Sequence, residues 1–309
     1  MKVFDLCLAW NWEYDADFVG WLGKACGSRG LLLLQVTPDN LPDMSRALDA
    51  QETSFRAFLD RASEGDERFV PVARWAAEHD VYRINPSEVS SRCSDKAAMH
   101  SLLIQAGLET PRTILLPSYQ ERPVLPAIDL NWVGERFIIK PAHGGGGEGV
   151  VTDASSLDQV LEARRSWPQD RYLLQARVVP RELGVRPAWF RVLYCAGCVY
   201  PCWWNPRDHI YAPLSPEEES LHGLGVLRET VTAVARLCKL DLFSTEIALT
   251  EQDRLVVVDY VNDQIDLRQQ SKAADGVPDR IVEDIAKRLT ELVITHIQPG
   301  RSHERYTGP

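Results

Sequence analysis

The stretch Arg136-Phe137-Ile138-Ile139-Lys140-Pro141-Ala142-His143-Gly144-Gly145-Gly146-Gly147-Glu148-Gly149-Val150-Val151 decides how the rest of the chain is read. Phe137 to Ile139 is a short apolar run, the pattern of a buried strand. It delivers one lysine, Lys140, and Pro141 then ends it. Gly144, Gly145, Gly146 and Gly147 follow, with Gly149 close behind, before a second apolar run at Val150-Val151. Glycine has no Cβ to hold a ligand away from the main chain, and it accepts positive φ. Successive exposed N–H groups in such a loop form a nest for anions, phosphate above all. Lys140 adds a mobile point charge for the same oxygens. The rival is a long hairpin whose glycines serve only the turn. A hairpin needs two or three special positions, fewer than this run supplies.

The loop is not a Walker A motif, because the lysine precedes the glycines and no Gly-Lys-Ser/Thr follows. Nor is it a dinucleotide fingerprint, since a strand rather than a helix comes after it. Strand, lysine, glycine loop, strand is the arrangement this segment shares with ATP-grasp enzymes, which it resembles. The remaining chain can be tested against that resemblance.

Size and composition set the outer limits. The 309 residues are 45% hydrophobic and 25% charged, enough for two or three subdomains around real cores. A net charge of −10 argues against nucleic acid or an anionic membrane as the main partner. The N-terminus Met1-Lys2-Val3-Phe4-Asp5 lacks a signal-peptide pattern, and no apolar run reaches membrane-spanning length. Seven cysteines without framework spacing suit a reducing cytoplasm, which is the expected location. Cys195, Cys198 and Cys202 fall across an expected hairpin with no fourth ligand spaced to match, so they read as apolar fillers rather than a metal site.

Residues 2–10 and Leu31 to Val36 read as strands flanking a helix from Asp15 to Cys26, the start of a small α/β domain. A polar helix from Pro42 to Ala62, a second helix from Val70 to His79 and a short strand from Val81 to Asn85 are expected next. Trp10-Asn11-Trp12-Glu13-Tyr14-Asp15-Ala16-Asp17 suits a ligand crevice at a strand's carboxyl end. It equally suits a capped helix start with its tryptophans folded onto the domain. Trp12 is retained as a candidate substrate contact.

Ser94 or Asp95 caps a helix running to about Ala106, and Thr110-Pro111 leads into a strand from Thr113 to Leu116. Asp-Lys, helix, Gly-Leu-x-Thr-Pro, strand is similar to the start of the ATP-binding region in ATP-grasp proteins. By that resemblance Lys96 reaches the nucleotide phosphates; alone it would read as a solvated helix-start lysine. Residues 117–135 are a proline-rich surface excursion. A capped helix from Ser155 to Arg165 and a strand from Tyr172 to Val179 follow. In the resembled family this strand joins the two halves of the fold and its main chain pairs with the adenine edge, at Gln175 and Val178 here. Glu182 stands where a ribose-binding carboxylate occurs in the family, and a solvent-exposed glutamate is the equal alternative.

Trp189 to Tyr194 is an apolar strand carrying Arg191, and a buried charge must be paired or meet a ligand. The resemblance gives Arg191 a phosphate or the reacting carbonyl, and gives Arg207 and His209, beyond the return strand Val199 to Trp204, the acceptor substrate. A helix from Pro216 to Leu240 precedes a hairpin of Leu242–Leu249 and Arg254–Asp263. Each of its strands sets a carboxylate in an apolar run, and two such groups resist ionisation unless a cation lies between them. Glu246, Asp259 and Asn262 supply the oxygens that a nucleotide-bound Mg²⁺ requires. The family spacing is Asp/Glu-x-Asn, whereas this chain has Asp-Tyr-Val-Asn. Strand alternation separates Asp259 from Asn262 unless the strand ends or bulges near Tyr260. Asp263 and Asp266 are the substitutes.

The resemblance covers residues 1–297 and implies an α/β plus α+β ATP-grasp fold. Its parts would be a Rossmann-like pre-ATP-grasp domain (1–93), a central lid subdomain (94–178) with the loop 142–149, and a C-terminal mixed α+β subdomain (179–298). Residues 299–309 are expected to be a disordered tail. It further implies ATP with two Mg²⁺ ions, Mn²⁺ being acceptable, and an ADP-forming carboxylate–amine ligase acting through an acylphosphate. Lys140 and Arg191 would be catalytic, and small-molecule or peptide carboxylates and amines would be the substrates. A small-molecule kinase and a non-catalytic ATP-binding protein are the alternatives, and a homodimer is compatible with the sequence.

Overall fold

Leu6, Cys7, Leu8 and Ala9 have no exposed surface, so the first strand, β1 (Lys2–Trp10), is covered on both faces as an inner parallel strand must be. The computed structural model describes residues 1–297. It divides into one unit of residues 1–86 plus 266 onward, and a second of residues 87–265. In the first unit β1, α1 (Ala16–Ser28), β2 (Leu33–Val36), α2 (Leu41–Asp49), β3 (Thr53–Arg61), α3 (Val70–Glu78) and β4 (Tyr82–Ile84) alternate. Their strands form an all-parallel sheet in the order β2-β1-β3-β4.

The helix expected from Pro42 to Ala62 is therefore a helix and a strand. Gln51, at φ +56°, sits in the turn after α2, and β3 then pairs with both β1 and β4. Phe55, Ala57, Phe58 and Leu59 are all buried there. The covered face carries the polar Thr53 and Arg61 beside Phe55, Ala57 and Leu59, and the buried Phe58 interrupts the more open face of Ser54, Arg56 and Asp60, which blurs the apolar alternation of a strand.

The second unit opens with α4 (Ser87–Ser94) and α5 (Lys96–Gln105), the latter capped by Asp95, whose side chain accepts from the Ala97 and Ala98 N–H groups. Next come β5 (Thr113–Leu116), β6 (Phe137–Pro141), β7 (Val151–Ala154), α6 (Leu157–Ser166) and β8 (Tyr172–Ala176). These strands make an antiparallel sheet ordered β5-β8-β6-β7. The hairpin β9 (Glu182–Leu183) and β10 (Arg186–Pro187) leads to β11 (Trp189–Cys195), β12 (Cys198–Trp204) and β13 (Tyr211–Pro213). Then α7 (Pro216–Leu221), α8 (Val226–Cys238), β14 (Leu242–Leu249) and β15 (Leu255–Asn262) complete the unit. The second antiparallel sheet runs β13-β12-β11-β14-β15, and one of its faces buries Phe190, Val192, Trp203 and Ile247 with α8 residues Leu227, Val231 and Val234. The single helix expected from Pro216 to Leu240 is broken at Gly223, which has φ +65°.

The last helix, α9 (Asp279–Ile297), belongs to the first unit rather than closing the segment that begins at 179. It packs against α1: Cys26 Sγ lies 3.7 Å from Thr290 Oγ1, and Arg29 pairs with Glu291. Its buried stripe of Val282, Ile285, Ala286, Leu289 and Val293 recurs at helical spacing, which shows that a face is covered but not by what. The expected tail at 299–309 lies outside the described residues. All seven cysteines are free, and among the described residues no helix is long and apolar enough to cross a membrane.

Candidate active site

The two strands that carry the carboxylates do not pair in simple register. Ser244 faces Asn262, Glu246 faces Asp259 and Ile247 faces Val257, with irregularities between successive pairs. Three residues from Asp259 to Asn262 thus span what two residues span on β14. That is the bulge which the Asp-Tyr-Val-Asn spacing requires, and it returns Asn262 to the side of Ser244, where its Nδ2 donates to Ser244 Oγ at 3.4 Å. Asp263 and Asp266 are engaged elsewhere: Ser90 Oγ donates to Asp263, and Asp266 pairs with Arg268 at 2.7 Å.

Arg191 on β11 stands opposite Glu246 and bonds its Oε1 through NH1 at 2.9 Å, while Nε and NH2 donate to Ser244 Oγ. Trp189 Nε1 donates to the other Glu246 oxygen at 3.2 Å. Burial raises the Glu246 carboxyl pKa and the neighbouring Asp259 raises it further, against the opposing charges of Arg191 and Lys140. A carboxylate pair held this way fits a hard divalent cation, whose charge relieves both effects. Among the described residues no cage of three or more His, Cys, Asp or Glu side chains exists. Mg²⁺ does not need one, since it binds through one or two carboxylates and completes its shell with water and phosphate. Glu246 and Asp259 would hold it, with Asn262 as the amide donor.

Opposite these groups lie the lysines. Lys140, at the end of β6, places Nζ 3.5 Å from the Val258 carbonyl, next to Asp259. Lys96, the first residue of α5, donates to the Gly144 carbonyl at 2.5 Å, and its N–H donates to Ala142 O. Burial lowers the Lys96 pKa; the Asp259 charge opposes that and the Lys140 charge reinforces it. The loop between β6 and β7 is pinned at its start, where Asp170 accepts from the His143 N–H and meets His143 Nδ1, both at 2.9 Å. Gly144, Gly146, Gly147 and Gly149 all have positive φ, from +61° to +102°. Only at Gly149 would a Cβ crowd neighbours, 3.2 Å from both Pro141 Cγ and Trp167 Nε1.

A cleft of about 960 Å³ runs beside these groups, and Ile138, Gln175, Val178, Glu182, Trp189 and Arg207 are among its lining residues. Gln175 sits in the central strand of its sheet, opposite Thr113 and Ile138, so its main chain is taken by the ladder. Val178, two residues past the end of β8, lies outside that ladder. The Gln175 side chain, 1% exposed, donates from Nε2 to Tyr260 Oη at 2.7 Å and leaves Oε1 buried without a partner. The His209 ring is stacked on Trp204, centroids 5.4 Å apart. Trp12 is in the first unit, exposed beside Tyr14 and Arg268. Sequence reasoning passed over Trp189, Ser244 and Asp170. The first two stand two residues before Arg191 and Glu246 on the same strand face, a period that could have exposed them; Asp170 carried no local signal.

No protein-family model matches this sequence, and neither does any curated protein. Solved structures do. A RimK domain ATP-grasp protein from Sphaerobacter thermophilus is 19% identical, with 95% of this chain and 100% of that one covered and a TM-score of 0.63. The D-alanine–D-alanine ligase of Bacillus anthracis, solved with ATP, is 14% identical over 96% of this chain and 97% of its own, at TM-score 0.62. The macrocyclase MdnC from Microcystis aeruginosa, bound to precursor peptide MdnA, is 10% identical over 93% and 99%, also at 0.62. These likenesses span nearly whole chains on both sides and agree with the glycine loop, the two antiparallel sheets and the cleft beside them: the chain has the ATP-grasp fold.

Proposed function

We propose that the protein is an ATP-dependent ligase that joins a carboxylate to an amine through an acylphosphate, releasing ADP and phosphate. The observation that carries this reading is the gathering of charged groups beside the cleft: Lys96 and Lys140 feel the Asp259 and Glu246 carboxylates respectively, and Arg191 pairs with Glu246. In the reaction the substrate carboxylate attacks the γ-phosphorus and the bond to the β-phosphate oxygen breaks. The amine nitrogen then attacks the acyl carbon, loses a proton and expels phosphate. The nucleotide supplies the phosphoryl group and Mg²⁺ neutralises its developing charge.

The protein's own groups do the positioning. Lys96, Lys140 and the N–H groups of Gly144 to Gly147 cradle the phosphates. The cleft at Val178 and Glu182 takes the base and ribose. Arg191, freed from Glu246 when that carboxylate holds a cation, grips the reacting carboxylate or the oxyanion formed from it. Closure of the glycine loop keeps water from the acylphosphate. The relatives named above, two of them called ligase or macrocyclase, support this reaction class.

The test is release of ADP and phosphate from panels of carboxylates and amines, with product mass as the readout. Lys140→Ala should lower turnover by about 100-fold or more while leaving the far-ultraviolet circular dichroism unchanged. Full activity in that variant would remove Lys140 from the chemistry.

A further inference from the structure

Beyond Arg191 the site face of the second sheet changes character. Cross-strand register sets Trp189, Trp204 and Tyr211 in one row, and Arg191, Cys202 and Pro213 in the next. Apart from Arg191 this wall carries no charge. Trp204 is 7% exposed and Tyr211 6%, with ring centroids 4.5 Å apart. The Arg191 guanidinium carbon lies 5.1 Å from the centre of the Trp204 ring, so the arginine joins the carboxylate end of the site to the aromatic end. Trp204 Nε1 is buried and has no hydrogen-bond partner.

What covers Trp204 is the imidazole of His209, stacked at 5.4 Å with 3° between the planes. His209 closes a turn that bonds mainly to itself. Asn205 Oδ1 accepts from Arg207 N–H, Asn205 Nδ2 donates to Asp208 Oδ2, Asp208 Oδ1 accepts from Ile210 N–H, and His209 N–H donates to Asn205 O. The turn is therefore complete without the stack, and the ring can leave Trp204 without breaking those bonds. A flat ring resting on a tryptophan beside an arginine has the form of a bound aromatic carboxylate.

We propose that the carboxylate substrate of this site carries an aromatic ring that seats on Trp204 in the place His209 holds, with its carboxylate on Arg191. This deepens the ligase reading and rests on it for the role of Arg191. The wall selects an aromatic over an aliphatic substrate because offset stacking on Trp204 and contact with Tyr211 add to simple burial. The His209 ring competes for the same surface.

The experiment titrates phenylacetate, isovalerate and acetate into the full chain by calorimetry, with Mg²⁺ and a non-hydrolysable ATP analogue present. Phenylacetate should bind roughly five- to tenfold more tightly than isovalerate, the range expected of one aromatic pair. His209→Ala, a change at an exposed ring, should tighten phenylacetate further and leave isovalerate where it was. Trp204→Leu should abolish the difference. Equal binding of phenylacetate and isovalerate in both the wild type and His209→Ala, or no binding of either, overturns the proposal even if Trp204→Leu fails to fold.

A parallel assay with ATP traps acylphosphate as hydroxamate with hydroxylamine, which separates the two readings. Selective binding without hydroxamate would sink the ligase reading and leave the aromatic seat standing. Hydroxamate formed from all three acids without any binding preference would do the reverse.

Discussion

Glu246 concentrates the electrostatics of the site in one side chain. Its pKa is raised from 4.5 first by burial and then by Asp259, so the folded state holds this proton more tightly than the unfolded chain does. The contribution is therefore fully present below pH 4.5 and lost as pH rises through the raised value. In chelator, Glu246→Gln should show a shallower loss of stability between pH 5 and pH 8 than the wild type, read by urea denaturation. The slope is the measure, because the substitution also costs Arg191 its partner at every pH. Millimolar Mg²⁺ should restore wild-type stability at pH 8 and do little for the variant. Identical slopes would mean that this carboxyl does not titrate as its burial demands.

At the scale of elements, the glycine loop separates conformational need from spare flexibility. Gly149 has φ +70° and a neighbour at 3.2 Å on two sides, whereas Gly145 has neither a positive φ nor an atom within 4 Å of its would-be Cβ. Gly149→Ala should cost about 1–3 kcal/mol, the usual toll of a strained backbone position, and Gly145→Ala should be close to neutral. Thermal unfolding of the two variants side by side distinguishes them.

The loop and its flanking strands were legible in the sequence because every cue is local: an apolar run, a lysine, a proline, then glycines. So was the capped start of α5 at Asp95. Thr53–Arg61 was not, because Thr53 and Arg61 put polar residues on its covered face and Phe58 puts an apolar one on the other, so the alternation is blurred. The bulge in β15 was legible only as a condition. Asp259 and Asn262 had to meet across a spacing that forbids it in a regular strand, and the irregular register meets that condition. The partner of α9 was beyond reach, since an apolar stripe records that a face is covered and not which helix covers it. The stacking of His209 on Trp204 was not legible either, since it depends on a left-handed backbone at φ +59° that no local pattern signals.

On the scale of the whole molecule, each unit keeps its own sheet and core, and the candidate site lies entirely within residues 87–265. Within that unit the cleft draws on both sheets, with Ile138 and Gln175 from one and Trp189 and Val258 from the other. The residue between Asp259 and Val261 joins these parts. Tyr260 is 2% exposed, and its hydroxyl meets His100 Nδ1 on α5 at 2.8 Å and Gln175 Nε2 on β8 at 2.7 Å. The hydroxyl accepts from Gln175 Nε2 and keeps its own proton to donate to His100 Nδ1 in the tautomer protonated at Nε2. Burial, which lowers the His100 pKa, favours the neutral ring able to accept it. Tyr260→Phe strands both partners in a dry interior and should cost about 1–3 kcal/mol, read as a lower urea midpoint. No change would show that the bridge carries no weight.

That phenol ties α5, which bears Lys96, to β8 and β15 through two buried bonds. Separating these elements means breaking both bonds at once, so on the proposed ligase reading a movement of the glycine loop is the less costly way to open the site. The same irregular stretch of β15 that sets Asp259 opposite Glu246 and Asn262 opposite Ser244 thus also carries the side chain that holds α5 and β8 together.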